Sequence, residues 1–512
     1  MSANVNTCME SAMNLTGMGW LGKATLAIVL TGLVSACSES VPDETLERSR
    51  QMPQWFDESK LGIFIHWGPA SVPAFAAGHA LEPGELEEVL LGGSGRPELP
   101  YSEWYLYAMN LPDSATRKHH AGVYKNAPYS DFGPVFERRV EQSWDPDAWA
   151  ELFSQTGARY VVLVTKHHDG YALWPSAVTN PQQADWFSER DLVGELATAV
   201  RKRGMRFGTY YSTGLDWSFN LVAEGDLVED VMRSAPPGEA YGDYVFDQMS
   251  ELIERYQPDL LWADIGYPTE GRLGELLQSY FAQVPDGVVN DRWGGVDALG
   301  KIAAIPGAAS VMKALARWMV KNADPLADDP ARIGFKTAEY ASLPGISPFK
   351  WESTRGLGAS FAYNTEEIPE DRLTAQELVH FLVDTVAKNG NVLINVGPDS
   401  YGMIPDEQQA PLSGLGNWLQ GNGEAIYGSK PWIREANTRG RELRYTTKDN
   451  ALYAIVFGDV EQTFTIEHPG DSWTKVEVLG ANVQDSQSRD GMLQISLDRE
   501  LAGPAVVVKL SE

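Results

Sequence analysis

From residue 51 to about residue 430, short and nearly continuous apolar runs alternate with stretches whose apolar residues recur at helical spacing. The runs are Ile63–His66, Tyr160–Lys166, Arg206–Tyr211, Leu260–Asp264, Val288–Asp291, Phe335–Tyr340 and Val392–Val396. Strings such as YVVLVT and VLINV lack polar alternation, as expected of parallel strands buried on both faces. Between them, Asp191–Lys202, Tyr241–Arg255 and Ala375–Lys388 read as amphipathic helices. The alternation predicts an α/β chain, a (β/α)8-like (TIM) barrel over residues 51–430, with insertions at 78–100 and 295–332. A doubly wound sheet is the alternative, but no GxGxxG or P-loop follows any strand. After Pro431 the period changes. Leu452–Phe457, Thr463–Ile466, Lys475–Val478, Met492–Leu497 and Ala505–Leu510 are short β-rich runs between turn residues, predicting an antiparallel β-sandwich over 431–512.

The amino terminus follows a third pattern. Ala24–Ala36 is apolar, follows Lys23, and is shorter than the ~20 residues of a bilayer span, which suits a signal segment over residues 1–36. Its ending, Val34-Ser35-Ala36-Cys37, resembles the lipobox of bacterial lipoproteins, which implies lipidation at Cys37, a linker over 37–50, and an envelope location on a lipid anchor. Cleavage there removes Glu10 and Lys23 together, so the net charge of −29 is unchanged.

That charge, 41 Lys+Arg against 70 Asp+Glu, argues against a nucleic-acid partner, because no basic surplus exists to neutralise phosphates. A hydrophobic fraction of 43% argues against a disordered chain. The two cysteines, Cys8 and Cys37, exclude a disulfide framework and a cysteine-rich metal site. Sixteen Trp and 20 Tyr favour carbohydrate, whose apolar ring faces stack on aromatic side chains.

Barrel enzymes place their chemistry at the carboxyl ends of the strands. Those ends read Ile65-His66-Trp67-Gly68, Lys166-His167-His168-Asp169-Gly170, Tyr210-Tyr211-Ser212, Trp262-Ala263-Asp264, Asn290-Asp291-Arg292-Trp293-Gly294 and Ala338-Glu339-Tyr340. Adjacent histidines on a strand face opposite ways and no third ligand has metal spacing, so no metal or cofactor is expected. No GxSxG elbow supports serine catalysis. A carboxylate pair among hydrogen-bonding groups and indoles remains, and cleavage of a glycosidic bond requires such a pair. Glu352 is a rival to Glu339 as a member of that pair. Trp67 and Trp293 read as packing residues, and Asp169, Asp291 and Asn395 as supporting or turn residues.

Eight strings in order resemble the retaining α-L-fucosidases of glycoside hydrolase family 29. They run from Gly62-Ile63-Phe64-Ile65-His66-Trp67-Gly68 through the histidine, tyrosine, Asp264, Arg292 and Phe335-Lys336-Thr337-Ala338-Glu339-Tyr340 segments. Lys350-Trp351-Glu352-Ser353-Thr354 and Lys388-Asn389-Gly390-Asn391 with Asn395-Val396-Gly397-Pro398 complete them. The resemblance covers roughly residues 50–432. It implies an exo-acting hydrolase of terminal α-L-fucosyl residues on glycans, with Asp264 as nucleophile and Glu339 as general acid and base. For retention their carboxyls should lie about 5–5.5 Å apart. Arg292 would favour ionised Asp264, and burial near Asp264 would raise the pKa of Glu339. His66, Glu103, Trp104, His167 and His168 would bind sugar hydroxyls, Trp262 and Phe361 would face the C6 methyl, and one of Tyr210 and Tyr211 would point inward, with Tyr210 preferred. Rival readings are a retaining glycosidase for another galacto-configured or deoxy sugar and a non-catalytic glycan-binding lipoprotein. Within the second insertion, Lys313, Arg317 and Lys321 share one face of an amphipathic segment, read first as a helix packed on the barrel, then as a lid or acceptor-subsite wall, and last as a membrane-surface contact beside the lipid anchor.

Overall fold

Burial on both faces is what makes the apolar runs strands. All seven residues of β2 (Tyr160–Lys166) are buried, as are all five of β1 (Leu61–Ile65) and of β4 (Leu260–Asp264). The computed structural model describes residues 41–78, 98–269, 271–295, 314, 324–470 and 472–512. Among these, eight parallel strands form one curled, barrel-like sheet in the order β5-β4-β3-β2-β1-β8-β7-β6. The others are β3 (Arg206–Ser212), β5 (Val288–Val289), β6 (Lys336–Glu339), β7 (Trp351–Gly356) and β8 (Gly390–Val396). Two differences from the sequence reading have physical reasons. The strand expected over Val288–Asp291 is only two residues long. β7 was not foreseen as a strand, because WESTRG is polar; its Glu352 and Ser353 are buried yet hydrogen-bonded.

Helices cover the outside of the sheet. Leu192–Lys202 starts where the Asp191 carboxylate accepts from Gly194 N, and Ala375–Ala387 starts at a Thr374/Glu377 capping box. The helix expected over Tyr241–Arg255 spans Glu239–Tyr256. Inside the barrel, Phe56, Phe64, Tyr160, Tyr210, Trp262 and Phe335 join Val162, Val164 and Leu393 in one buried cluster.

No β5–β6 ladder exists among the described residues, and the seam is stitched otherwise. Phe335 N donates to Val289 O at 3.0 Å, and Asp291 Oδ1 accepts from Thr337 N at 3.1 Å and Thr337 Oγ1 at 2.6 Å. Gly334 makes this possible, because its φ is +66° and a Cβ there would lie 1.9 Å from Val289 O. The insertion at 295–332 enters at this seam. Lys313, Arg317 and Lys321 of its amphipathic segment lie outside the described residues, as do Cys37 and most of the 78–100 insertion.

The carboxyl-terminal region forms two antiparallel sheets. A five-stranded sheet runs β13-β16-β11-β10-β9 and a three-stranded one β12-β15-β14. The strands are β9 (Lys430–Ala436), β10 (Leu443–Lys448), β11 (Ala451–Phe457), β12 (Thr463–Glu467), β13 (Lys475–Val478), β14 (Val483–Arg489), β15 (Met492–Leu497) and β16 (Ala505–Ser511). Leu452, Val456, Phe464, Ile495 and Val508 pack into one core between them. β9, β10 and β14 escaped the sequence reading; β14, VQDSQSR, is almost wholly exposed and carries no apolar alternation.

Candidate active site

The strand ends converge. His66 follows β1, His167 and His168 follow β2, Tyr210 lies on β3, Asp264 closes β4, Arg292 follows β5, Glu339 closes β6 and Asn395 lies on β8. Glu103 and Trp104 arrive on a short 3-10 turn, Ser102–Trp104, in the β1–β2 connection, and Phe361 on the β7–β8 connection.

One guanidinium organises the centre. Arg292 Nη1 donates to Asp264 Oδ1 at 2.8 Å and Nη2 to Glu339 Oε2 at 2.9 Å. The sequence reading gave Arg292 to Asp264 alone; the structure shares it between both carboxylates, one on each prong of its fork. Burial pulls the Arg292 pKa down, but Asp264 and Glu339 more than offset this and hold it above its ordinary value. The guanidinium rests over the Trp262 ring, 4.8 Å from its centroid. Trp262 is 2% exposed, stacks on Tyr210 at 5.6 Å, and donates its indole N–H to Glu352. It therefore forms the bed under Arg292, rather than an open wall beside Phe361.

Tyr210 points inward and Tyr211 outward, as alternation requires. Tyr210 OH donates to Asp264 Oδ2 at 2.8 Å, and Tyr211 OH donates to Gln248 Oε1 at 2.7 Å. Burial and the Asp264 charge push the Tyr210 phenol well above its ordinary pKa, so it remains a donor.

The histidines are neutral acceptors, and their tautomers follow from their partners. Asn395 Nδ2 donates to Phe361 O, which turns its Oδ1 to His66 Nδ1 at 2.6 Å; Nδ1 must carry the proton. Ser212 Oγ donates to Leu215 O at 2.7 Å, so at 2.6 Å it accepts from His168 Nδ1. Each ring thereby presents an unprotonated Nε2, and that of His168 lies 3.9 Å from Asp264 Oδ2. Burial lowers the His66 pKa to about 4. Burial also lowers His167 and His168 well below the ordinary value, helped by His66 and Lys166. The His167 and His168 rings are 4.0 Å apart, and His167 Nδ1 is buried without a hydrogen-bond partner among the described residues.

Glu103 is held by Ala362 N at 2.9 Å and Ser360 Oγ at 3.1 Å, both on Oε2. Burial pushes its pKa up to about 7 against those bonds. Trp104 stands edge-on to His168 at 5.3 Å and Phe361 lies 4.9 Å from His66.

The rival acid occupies different ground. Glu352 is 0% exposed, while the Glu339 side chain is 22% exposed. Its two oxygens accept from Tyr160 OH and from Trp262 Nε1 at 3.3 Å, and burial pushes its pKa up to about 7. A carboxyl enclosed beneath Trp262 cannot reach a leaving group at the mouth.

A constellation of two strand-end carboxylates on one guanidinium, ringed by neutral imidazoles, is that of a glycosidase, and the comparisons name which one. The family model described as Alpha-L-fucosidase matches residues 31–424. The chain belongs to the α-L-fucosidase family. Membership makes it a glycoside hydrolase of family 29, on the TIM-like barrel that the fold shows. The tissue alpha-L-fucosidase of Macaca fascicularis is 32% identical over 481 residues, 89% of this chain and 88% of that protein. That of Homo sapiens is 33% identical over 469 residues, 89% and 87%. The solved Thermotoga maritima alpha-fucosidase, in complex with a mechanism-based inhibitor, is 36% identical with a TM-score of 0.73 over 91% of this chain and 98% of that one.

Sequence reasoning passed over several groups that shape this α-L-fucosidase site. Ser212 sets the His168 tautomer and Ser360 anchors Glu103, while Asn395, read from the sequence as a supporting or turn residue, sets the tautomer of His66. Trp217 packs on both His168 and Trp104, at 5.3 and 5.4 Å. Asn395 and Ser212 lie inside the recognised strings, but only the fold reveals what they touch. Trp217 lies outside them and carries no sequence signal. Trp67 packs against Phe136, Trp144 and Trp149, away from the carboxylates.

Proposed function

We propose that the chain is an exo-acting, retaining α-L-fucosidase that releases terminal fucose from glycans through a covalent fucosyl-enzyme. The observation that carries this reading is the Arg292 fork joining Asp264 and Glu339. Asp264 attacks the anomeric carbon while Glu339 gives its proton to the departing glycosidic oxygen. Water then enters as Glu339 takes back a proton, and the Asp264–sugar bond breaks with retention. Arg292 and Tyr210 hold Asp264 in its attacking orientation and stabilise its charge. The Nε2 atoms of His66 and His168 accept sugar O–H protons, Glu103 takes a further hydroxyl, and Trp104 with His167 completes the polar wall. Phe361 supplies the aromatic surface for the C6 methyl, which disfavours a sugar bearing a hydroxyl there, while Trp262 supports Arg292 from below.

Mass spectrometry of the enzyme incubated with a 2-deoxy-2-fluoro-fucosyl fluoride tests the assignment. The expected adduct is on the Asp264 peptide; an adduct elsewhere, or product of inverted configuration by NMR, would refute it. In Glu339→Ala, azide should rescue turnover of an aryl fucoside with a good leaving group. If Glu352→Ala alone shows that rescue, the acid is misassigned.

We also propose that the chain is a bacterial envelope lipoprotein, anchored through a lipid on Cys37. The support is the Val34-Ser35-Ala36-Cys37 string behind an apolar segment. Palmitate labelling in a bacterial host should mark the chain and be lost in Cys37→Ser; labelling that survives would refute the anchor.

A further inference from the structure

A groove of about 910 Å³ lies between the base of the barrel and the carboxyl-terminal β region. It is at the opposite end from the carboxylates. Ser59, Arg159 and Arg206 line it at the entrances to β1, β2 and β3, whereas Asp264 and Glu339 close their strands. The seven residues of β2 alone span about 23 Å, so one sugar cannot touch both places.

Its lining combines indole faces with cations. Trp55 comes from the barrel, Trp432 and Trp473 from the β region, and all three are half-buried. Trp55 is fixed by its N–H to Asp286 O at 2.8 Å and by Arg206 over its ring, while Trp432 is propped edge-on against Tyr445 at 4.9 Å. Arg159 stacks on Tyr427 at 4.3 Å, and Lys448 Nζ is held by Tyr427 O at 2.9 Å. Arg206 is neutralised by Asp259 at 2.6 Å. Arg159, Lys430 and Lys448 make no ion pair within 4 Å among the described residues; Glu58 and Asp449 line the groove beside them, and the Lys430 charge also acts on Asp57. In a chain of net charge −29, a cleft with cations outside any ion pair is set against the overall field.

We propose that this groove is a second, non-catalytic glycan site that takes a sparsely anionic oligosaccharide, bearing sulfate or uronate. Pyranose C–H faces stack on the indoles, and an isolated anionic substituent pairs with Arg159, Lys430 or Lys448. Nucleic acid would also suit aromatic and basic groups, but its dense phosphates meet the long-range repulsion of the acidic chain. A single sulfate or carboxylate is recognised within a Debye length of about 8–10 Å, where the local cations dominate. The site uses none of the catalytic residues. It would hold the glycan while the mouth cleaves a separate terminus.

Calorimetry on the full chain, with the mouth saturated by free fucose, tests this using three probes: a sulfated fuco-oligosaccharide, its desulfated counterpart and an oligogalacturonide. At least one anionic probe should bind, and the tighter of the two identifies the substituent. Trp473→Ala and Lys430→Gln should each weaken that binding at least 10-fold, with kcat/KM on an aryl fucoside unchanged. Trp432→Phe, which keeps a ring, should retain most of the affinity, and Lys430→Gln carries the test if Trp473→Ala misfolds. The proposal is overturned if neither anionic probe binds, if the desulfated counterpart binds as tightly as both, or if binding survives Trp473→Ala and Lys430→Gln. It is also overturned if only phosphatidylglycerol vesicles bind through these residues.

Discussion

Glu339 and Glu352 sit on neighbouring strands of one sheet, two rungs apart: Glu352 pairs with Thr337 and Glu339 with Thr354. That step separates the mouth of the barrel from its interior. At the mouth, Glu339 shares Arg292 with Asp264 and keeps access to water. In the interior, Glu352 has no cation in hydrogen-bond contact among the described residues and is closed over by Trp262 and Tyr160. The difference teaches that a carboxyl becomes a catalytic candidate by where it meets substrate. A pKa near neutrality is no sufficient sign, since burial alone brings Glu352 there.

Four measurements break or sharpen this contrast. Asp264→Gly should lower kcat on an aryl fucoside by about 10⁴-fold or more, because a nucleophile acts as part of a unit; a wild-type rate would remove Asp264 from the mechanism. Arg292→Lys keeps the charge but loses the fork, and kcat should fall about 10²–10³-fold. A loss as small as a few-fold would mean that bridging both carboxylates is unimportant.

Glu103→Gln should cost less, about 10-fold in kcat/KM, and should change the pH profile. Glu103 titrates at about 7, so the wild-type profile should carry an inflection there that the amide lacks. An identical profile in the variant would assign the inflection to another group.

The smallest effect is expected in the interior, where Glu352→Gln should leave kcat within about 3-fold. Its readout is thermal stability. Burial raises the folded pKa of Glu352 from 4.5 to about 7, so the native state keeps a proton that the unfolded chain has released between those values. Its contribution to stability is therefore full at low pH and falls as pH rises through that window. Gln releases no proton, so the Tm decline between pH 5 and 8 should be shallower in Glu352→Gln. His66 has the opposite sign: its folded pKa is lowered to about 4, and stability is lost as pH falls from its ordinary value toward that one. An unchanged Tm–pH slope in Glu352→Gln would show that Glu352 does not govern it.

Much of the framework was legible in the chain itself. YVVLVT and VLINV became β2 and β8 because a strand covered on both faces must be apolar along its whole length. β7 was illegible for the converse reason. A hydrogen-bonded Glu and Ser can be buried as completely as Val, and no pattern in WESTRG announces the partners that make this affordable. β14 was missed because both its flanks face water.

Local sequence determined the strand-end positions of the site, since alternation and the barrel rule place Asp264, Glu339, Tyr210 and the histidines without knowledge of their neighbours. Hydrogen-bond partners depend on contacts between residues far apart in the chain, and only the tertiary structure decided those. Arg292 and Glu339 are joined across an insertion, and His66 takes its tautomer from Asn395, 329 residues away. Glu352 is enclosed because Trp262, 90 positions earlier, closes over it. Periodicity is a property of neighbouring residues and survives in the string. Electrostatic environment is a property of packing, and exists only once the barrel has closed.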